Sequence, residues 1–178
     1  MPPQTKFHGT GVYAIYYIGK SKFYKDISEK NRIEFSLPIY VGKAVPRGWR
    51  QARSENKQMK KSFELNERLN EHARSITQAN NLNSKDFYCR FMILEGTASS
   101  LIWTVEAALI RYYKPLWNSQ LDGFGNHDPG EGRYNQAKSE WDVIHPGRIW
   151  ADKCKGVASS SDQVEEKIAE YNIKQNRK

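Results

Sequence analysis

The chain has 178 residues, enough for one domain with a substantial hydrophobic core and a small appended element. Hydrophobic residues make up 38% of the sequence and aromatic residues 12%, which is too high for an intrinsically disordered protein. The formal charge is +8 at pH 7. Such an excess of cations is typical of proteins that bind a polyanion, most often nucleic acid, although it can also serve solubility alone.

Several other classes of protein are disfavoured. No apolar run approaches the roughly 18 residues of a membrane span. The first residues lack the apolar segment of a signal peptide, so we expect a cytoplasmic protein without a membrane partner. Cys89 and Cys154 are far apart and are expected to be reduced. The histidines have no zinc-type spacing, and no glycine-rich Walker loop indicates a nucleotide cofactor.

Two strands are predicted near the start of the chain. In residues 11–18 the side chains alternate with the period of two that is typical of a sheet, which places Tyr13 and Tyr16 on opposite faces. Residues 39–41 form a second, buried strand that ends at a glycine. The intervening residues 19–37 are polar, lysine-rich and too numerous for a hairpin loop, so they are predicted to be an insertion.

A run of cations follows the second strand, within residues 45–62. Its members recur at spacings of three and four residues, as along one face of a helix: Arg47, Arg50, Arg53, Lys57, Lys60 and Lys61. The sole acidic residue among them is Glu55. Because a stripe of one charge repels itself unless phosphates neutralise it, contact with nucleic acid is favoured over a solvated helix face.

The next helix is predicted for residues 62–79. It has an apolar stripe formed by Leu65, Leu69 and Ile76. Arg68 and His72 lie one turn apart at the margin of this stripe. They form either a buried, satisfied structural network or part of a cleft that binds phosphate.

A third strand, expected to be central in the sheet, is predicted for residues 86–94. A helix that ends before Pro115 follows, and Glu106 projects from within its apolar face. A carboxylate in that position needs a partner. Either a salt bridge, with Arg68 as the available cation, or a divalent metal would satisfy it. Asn118 comes just after this helix, within reach of the same cleft.

The last third of the chain contains three recognisable segments. Residues 123–132 form a glycine-rich loop, which we expect to be mobile. Residues 141–150 are too aromatic to be a tail and are expected to pack back on the domain. A short serine linker precedes a final helix that Asp162 is predicted to cap.

Five of these elements, in their order along the chain, resemble the signature of the GIY-YIG nucleases. They are Gly11-Val12-Tyr13, Tyr40-Val41-Gly42, the pair Arg68 and His72, then Glu106, then Asn118. The later segment Trp-Asp-Val-Ile-His-Pro-Gly-Arg is similar to the type II restriction endonuclease branch, in particular to enzymes that cut within CCGCGG.

The resemblance implies an α+β fold, with a small, mainly antiparallel three-stranded sheet flanked by helices. Residues 1–120 would form the catalytic domain, with basic insertions at 19–37 and 45–62 that we assign to DNA binding. Residues 121–178 would form a C-terminal extension packed on that domain, with a terminal helix.

The resemblance also implies roles for the site residues. Glu106 would hold one divalent metal, expected to be Mg²⁺. Arg68 would bind the phosphate, and Tyr40 would orient the phosphate or the water. Tyr13 would be the general base, hydrogen-bonded to His72; the competing version has His72 act on the water by another path. Asn118 would position the metal shell, and Lys43 would add positive charge.

The implied partner is double-stranded DNA, bound by a homodimer because a palindrome is most simply read by a two-fold pair. The arginines of the basic stripe would read guanines and its lysines would contact phosphates. Two alternatives stay open. One is a repair or homing nuclease, and the other is a non-catalytic DNA-binding module on the same scaffold.

Overall fold

A computed structural model of the protein describes residues 1–46 and 62–176. Its centre is an antiparallel sheet of three strands in the order β2-β1-β3: β1 (Gly11–Tyr17), β2 (Tyr40–Ala44) and β3 (Phe87–Ile93). Together with the flanking helices, this sheet confirms the predicted α+β fold.

The third strand lies at an edge of the sheet, so the expectation that β3 is central was wrong. β1 is the central strand. Its side chains are buried along almost its whole length, whereas most of those on β3 are exposed. The reason is in the composition: β1 is apolar on both faces, as a strand covered from both sides requires. β3 includes Arg90, which a central position would have to bury.

Six α-helices surround the sheet in the described ranges. They are α1 (Lys25–Ile33), α2 (Glu64–Gln78), α3 (Ile102–Tyr113), α4 (Leu116–Ser119), α5 (Glu140–Ile144) and α6 (Ser161–Asn176). The apolar stripe predicted for α2 is buried against the core. None of the helices in the described ranges combines the length and apolar composition that crossing a membrane would require.

Residues 19–37, predicted as an insertion, contain α1 and pack into the core. Tyr24 and Ile27 are fully buried. The buried amide of Asn31 donates to the carbonyl oxygens of Tyr17 and Leu37, at 3.1 and 2.9 Å. These bonds tie the segment to the end of β1, so it supports the sheet whatever its lysines contact.

The final helix begins one residue before Asp162. Ser160 caps it: its Oγ accepts from the backbone N–H of Gln163 at 3.2 Å, and Oε1 of Gln163 accepts from the backbone N–H of Ser160 at 2.9 Å. This reciprocal pair is a capping box. The prediction that Asp162 is the cap was therefore wrong; it lies in the first turn, where its charge suits the helix dipole.

The C-terminal part of the chain shares the hydrophobic core of the sheet. Trp141 is fully buried, and its ring lies against those of Trp117 and Phe124, with centroids 5.8 and 5.5 Å apart. His145 and Arg148 are also buried. The aromatic segment 141–150 packs back on the domain, as its composition predicts.

Arg148 holds the glycine-rich loop that was expected to be mobile. Its guanidinium is paired with Asp142 through Nε at 2.6 Å and Nη2 at 2.8 Å. The remaining N–H groups donate to the carbonyl oxygens of Gly123, Phe124 and Asn126, at 2.9, 3.4 and 3.0 Å. A buried ion pair with its hydrogen bonds satisfied keeps the start of this loop in one place.

We predict that Arg148→Met destabilises the protein by about 3–5 kcal/mol, because it leaves the Asp142 carboxylate buried without its counter-charge. Urea unfolding measures the loss. As a control, Lys174→Met removes an ion pair with Glu170 in which both side chains are exposed, and should cost less than about 1 kcal/mol. Equal losses for the two variants would contradict the prediction.

Candidate active site

The site begins at a close approach between the two strands named in the sequence motifs. Tyr13 on β1 lies opposite Gly42 on β2 in the strand register. A Cβ atom at position 42 would lie 2.6 Å from Cζ of Tyr13, which is too close for any side chain. Glycine is therefore required at this position so that the Tyr13 ring can lie across β2.

Tyr13 makes the hydrogen bond that the resemblance predicts. Its hydroxyl lies 2.6 Å from Nε2 of His72 on α2, and both side chains are buried. Burial, with smaller effects from Arg68 and His127, lowers the pKa of His72 to about 3. Burial also raises the pKa of Tyr13 well above its usual value, an effect that Arg68 opposes. At neutral pH Tyr13 and His72 are therefore both uncharged, and one hydrogen bond joins them.

Aromatic rings hold this pair in place. Phe124 stacks on His72, with ring centroids 4.7 Å apart and planes inclined by 15°. Tyr40 meets His72 edge-on, with centroids 5.1 Å apart. Burial raises the pKa of Tyr40, while the Arg68 charge lowers it. Tyr40 thus keeps its hydroxyl proton beside Tyr13.

Arg68, on α2, places a positive charge beside Tyr13 and Tyr40. It is half-buried, and its Nη1 donates to Oε2 of Glu71 at 2.8 Å and to Nε2 of His127 at 2.8 Å. It lies in a cleft between β2 and α2, lined by Lys43, Ala44, Val45, Glu64, Glu67, Arg68 and Glu71. Of the two roles considered from the sequence, the position in a cleft favours the phosphate-binding one.

Glu106 is paired with Lys43 and not with Arg68, the cation that the sequence offered for a salt bridge. Both side chains of the Lys43–Glu106 pair are largely buried. The Lys43 ammonium also lies 3.7 Å from the ring centroid of Trp103, a cation–π contact. Glu106 remains electrostatically coupled to Tyr13 and Tyr40, since it contributes, after burial, to raising the pKa of both.

Asn118 serves the backbone of β2. Its Oδ1 accepts from the N–H of Val41 at 2.8 Å, and its Nδ2 donates to the carbonyl oxygen of Val41 at 2.8 Å. The amide thereby replaces the missing neighbour on this edge strand. This fixes the strand between Tyr40 and Gly42, and so acts on the site through the position of β2.

The described residues fit a metal held mainly by water. They contain no group of three or more His, Cys, Asp or Glu side chains that could hold a metal ion. Glu106, the predicted ligand, lies near enough to Tyr13 and Tyr40 to affect the pKa of both. Mg²⁺ commonly binds proteins through one or two carboxylates and keeps several of its waters, so a single carboxylate is compatible with it.

The structure adds site residues that the sequence motifs did not indicate. Glu71 and His127 contact Arg68, and Phe124 contacts His72. Gly125 lies against the site, since a Cβ atom there would be 3.3 Å from the Tyr40 hydroxyl oxygen. In the sequence, the glycine content of this segment indicated a loop, but it did not indicate that the loop lies against the site. The cations predicted to contact DNA at Arg47, Arg50, Arg53, Lys57, Lys60 and Lys61 lie outside the described residues.

A family model described as the Eco29kI GIY-YIG domain matches residues 5–172 of the chain. The match includes the sheet, the site and the C-terminal segment through Arg148. No curated protein matches the chain.

We predict that Gly42→Ala destabilises the protein by about 1–3 kcal/mol, because the added methyl group would overlap the Tyr13 ring. Urea unfolding measures this. The matched control is Gly132→Ala, where a Cβ atom would meet nothing within 4 Å and no loss is expected. A Gly42→Ala protein as stable as the control would show that Tyr13 does not need this space.

We also predict that stability falls as the pH is lowered below about 6.5. His72 and His145 are both buried, and burial lowers the pKa of each to about 3. Between about pH 6.5 and about pH 3, each of these histidines binds a proton in the unfolded chain but not in the folded one. Unfolding therefore takes up protons, and lowering the pH favours the unfolded state. Each histidine should contribute about 1.4 kcal/mol per pH unit.

Unfolding free energies between pH 7 and 5 measure this slope, above the range where most carboxylates titrate. His145→Gln should halve the histidine contribution to it. A slope unchanged by this substitution would contradict the assignment to buried neutral histidines.

Proposed function

The chain belongs to the Eco29kI GIY-YIG family of type II restriction endonucleases, and from this membership we propose that it hydrolyses double-stranded DNA within the palindrome CCGCGG. The observation that supports catalysis is the buried hydrogen bond between Tyr13 and His72 beside the cationic Arg68. Phosphodiester hydrolysis needs an activated water, charge neutralisation at phosphorus, and help for the departing 3′ oxygen.

Tyr13 and His72 would together accept the proton of the attacking water. Because burial raises its pKa, Tyr13 does not act as a preformed phenolate. It would take a proton from the water while it passes its own proton to Nε2 of His72. The Arg68 charge is one cause of the low pKa of His72. A bound phosphate would offset that charge and make His72 a stronger base when substrate is present.

Arg68 would bind the scissile phosphate directly, because a half-buried guanidinium next to a cleft is suited to charged oxygens. The Tyr40 hydroxyl would orient the phosphate or the water. Asn118 would act indirectly, since its amide is already used to hold Val41. These assignments divide the site into a proton-accepting pair and a phosphate-binding group.

Glu106 would hold a single Mg²⁺, in exchange for the Lys43 ammonium that is now its counter-charge. When bound, the metal supplies Lewis acidity that stabilises charge on the phosphate and on the leaving oxygen. Lys43, released from Glu106, would remain at the edge of the cleft as an additional positive charge for the DNA backbone.

The enzyme would act as a homodimer, each subunit cutting one strand of the palindrome. The arginines at 47, 50 and 53 would read guanines in the major groove, and the lysines at 57, 60 and 61 would contact phosphates. Residues 1–120 would form the catalytic part, supported by the C-terminal residues 121–178.

We predict that Glu106→Gln abolishes cleavage of plasmid DNA in the presence of Mg²⁺ while DNA affinity without the metal stays within about twofold of wild type. The substitution removes the charge that the metal requires and keeps the size of the side chain. A suitable control is Glu166→Gln, an exposed position on α6, which should cleave at the wild-type rate.

Run-off sequencing of the cleaved ends then tests the target and the symmetry together. Cuts in both strands at one short palindrome would support a dimeric restriction enzyme, whereas nicks at lesions or a long asymmetric site would indicate a repair or homing nuclease. A wild-type protein that binds DNA and never cuts it would indicate a non-catalytic module.

A further inference from the structure

Arg68 has one nitrogen whose hydrogen-bonding capacity is fully used. Nη1 has two hydrogens, and it has two acceptors at 2.8 Å: Oε2 of Glu71 and Nε2 of His127. A guanidinium can only donate, so Nε2 of His127 is the acceptor of this bond. With both hydrogens of Nη1 occupied, the plane of the guanidinium cannot rotate without loss of a bond.

His127 reaches Arg68 from a segment that is anchored far from α2. We call residues 123–127 the Phe124 loop. Arg148 holds three of its carbonyl oxygens, and Phe124 stacks on His72. At Gly125 a Cβ atom would be 3.4 Å from Nη2 of Arg68, so the backbone of the loop lies directly against the guanidinium.

We propose that His127 is a positioning residue for Arg68, and that the Phe124 loop is a wall of the active site. The inference rests on the proposed function, because it concerns how Arg68 meets the scissile phosphate. Glu71 and His127 hold Nη1 on one side, while the guanidinium also interacts with the Tyr13 and Tyr40 hydroxyls, beside the place where the phosphate would bind. Positional errors of about 1 Å at such a group can slow a reaction about 100-fold.

Direct contact of His127 with DNA is the competing explanation, since its side chain is 63% exposed. Two observations favour positioning instead. The lone pair of Nε2 is engaged by Arg68, and Glu71 lies 3.7 Å from the same nitrogen. A phosphate at that place would meet a carboxylate, whereas the Arg68 bond is satisfied without any ligand.

Three substitutions separate these explanations. His127→Ala removes the acceptor, His127→Gln replaces it with an amide oxygen, and His127→Lys supplies a cation that cannot accept. The measurements are the single-turnover cleavage rate with Mg²⁺ at saturating protein, and the equilibrium affinity for the same DNA without the metal. His8→Ala is the matched control, an exposed histidine whose ring lies tilted against that of Phe63.

We expect the Ala and Lys variants to lose about 10- to 100-fold in cleavage rate, with affinity within about twofold of wild type and an unchanged thermal midpoint. The Gln variant should recover part of the rate. The Arg68→Lys substitution removes Nη1, the nitrogen that donates to His127. In that background His127→Ala should cause no further loss of cleavage rate.

If the wild-type enzyme cleaves DNA, either of two results would overturn the inference. One is a wild-type rate in all three variants. The other is an active, tightly binding Lys variant beside a weakly binding Ala variant, which would make His127 a direct phosphate contact. If the wild-type protein itself does not cleave, the proposed function fails, which is a separate result.

Discussion

The buried hydrogen bond between Tyr13 and His72 is the interaction on which the rest of the site depends. It joins the central strand to α2, and it forms because Gly42 leaves room for the Tyr13 ring across β2. Phe124 covers the imidazole on its other side. Because burial keeps both partners uncharged at neutral pH, the bond requires no counter-ion and belongs to the core as much as to the site.

The charges of the site are divided into two sets around this neutral centre. On α2, Arg68 is paired with Glu71. On β2 and α3, Lys43 is paired with Glu106. Each set contains one cation and one carboxylate, so each pair is neutral without ligand. This neutrality limits the cost of burying the charges, and it leaves each group available to a ligand that offers a stronger partner, a phosphate for Arg68 or a metal for Glu106.

The C-terminal third of the chain completes the site through Arg148. The pair that Arg148 forms with Asp142 is buried, and the same guanidinium binds the carbonyl oxygens at the start of the Phe124 loop. The loop then brings Phe124 to His72 and His127 to Arg68. A segment without any residue of the five family elements thereby contacts both Arg68 and His72, the two residues of one of those elements. Preorganised supports of this kind decide how accurately catalytic groups are held.

The sequence by itself determined several of the elements and predicted the contact between Tyr13 and His72. The period-two alternation predicted β1, the spacing of Leu65 and Leu69 predicted α2, and the ordered motifs predicted that Tyr13 meets His72. These features depend on near neighbours in the chain or on a recognisable order of residue types. The composition of β1 also explains its central position, although the edge position of β3 was not predicted.

Only the tertiary structure decided which charges pair and which loop covers the site. Glu106 binds Lys43, 63 residues away, where the sequence offered Arg68 as an equally suitable cation. His127 meets Arg68 because Arg148 fixes the intervening loop. Charges have no local periodicity that identifies their partners, and a glycine-rich loop follows whatever surface its anchors allow. Such contacts depend on how segments that are distant in the chain pack together, which local sequence patterns do not specify.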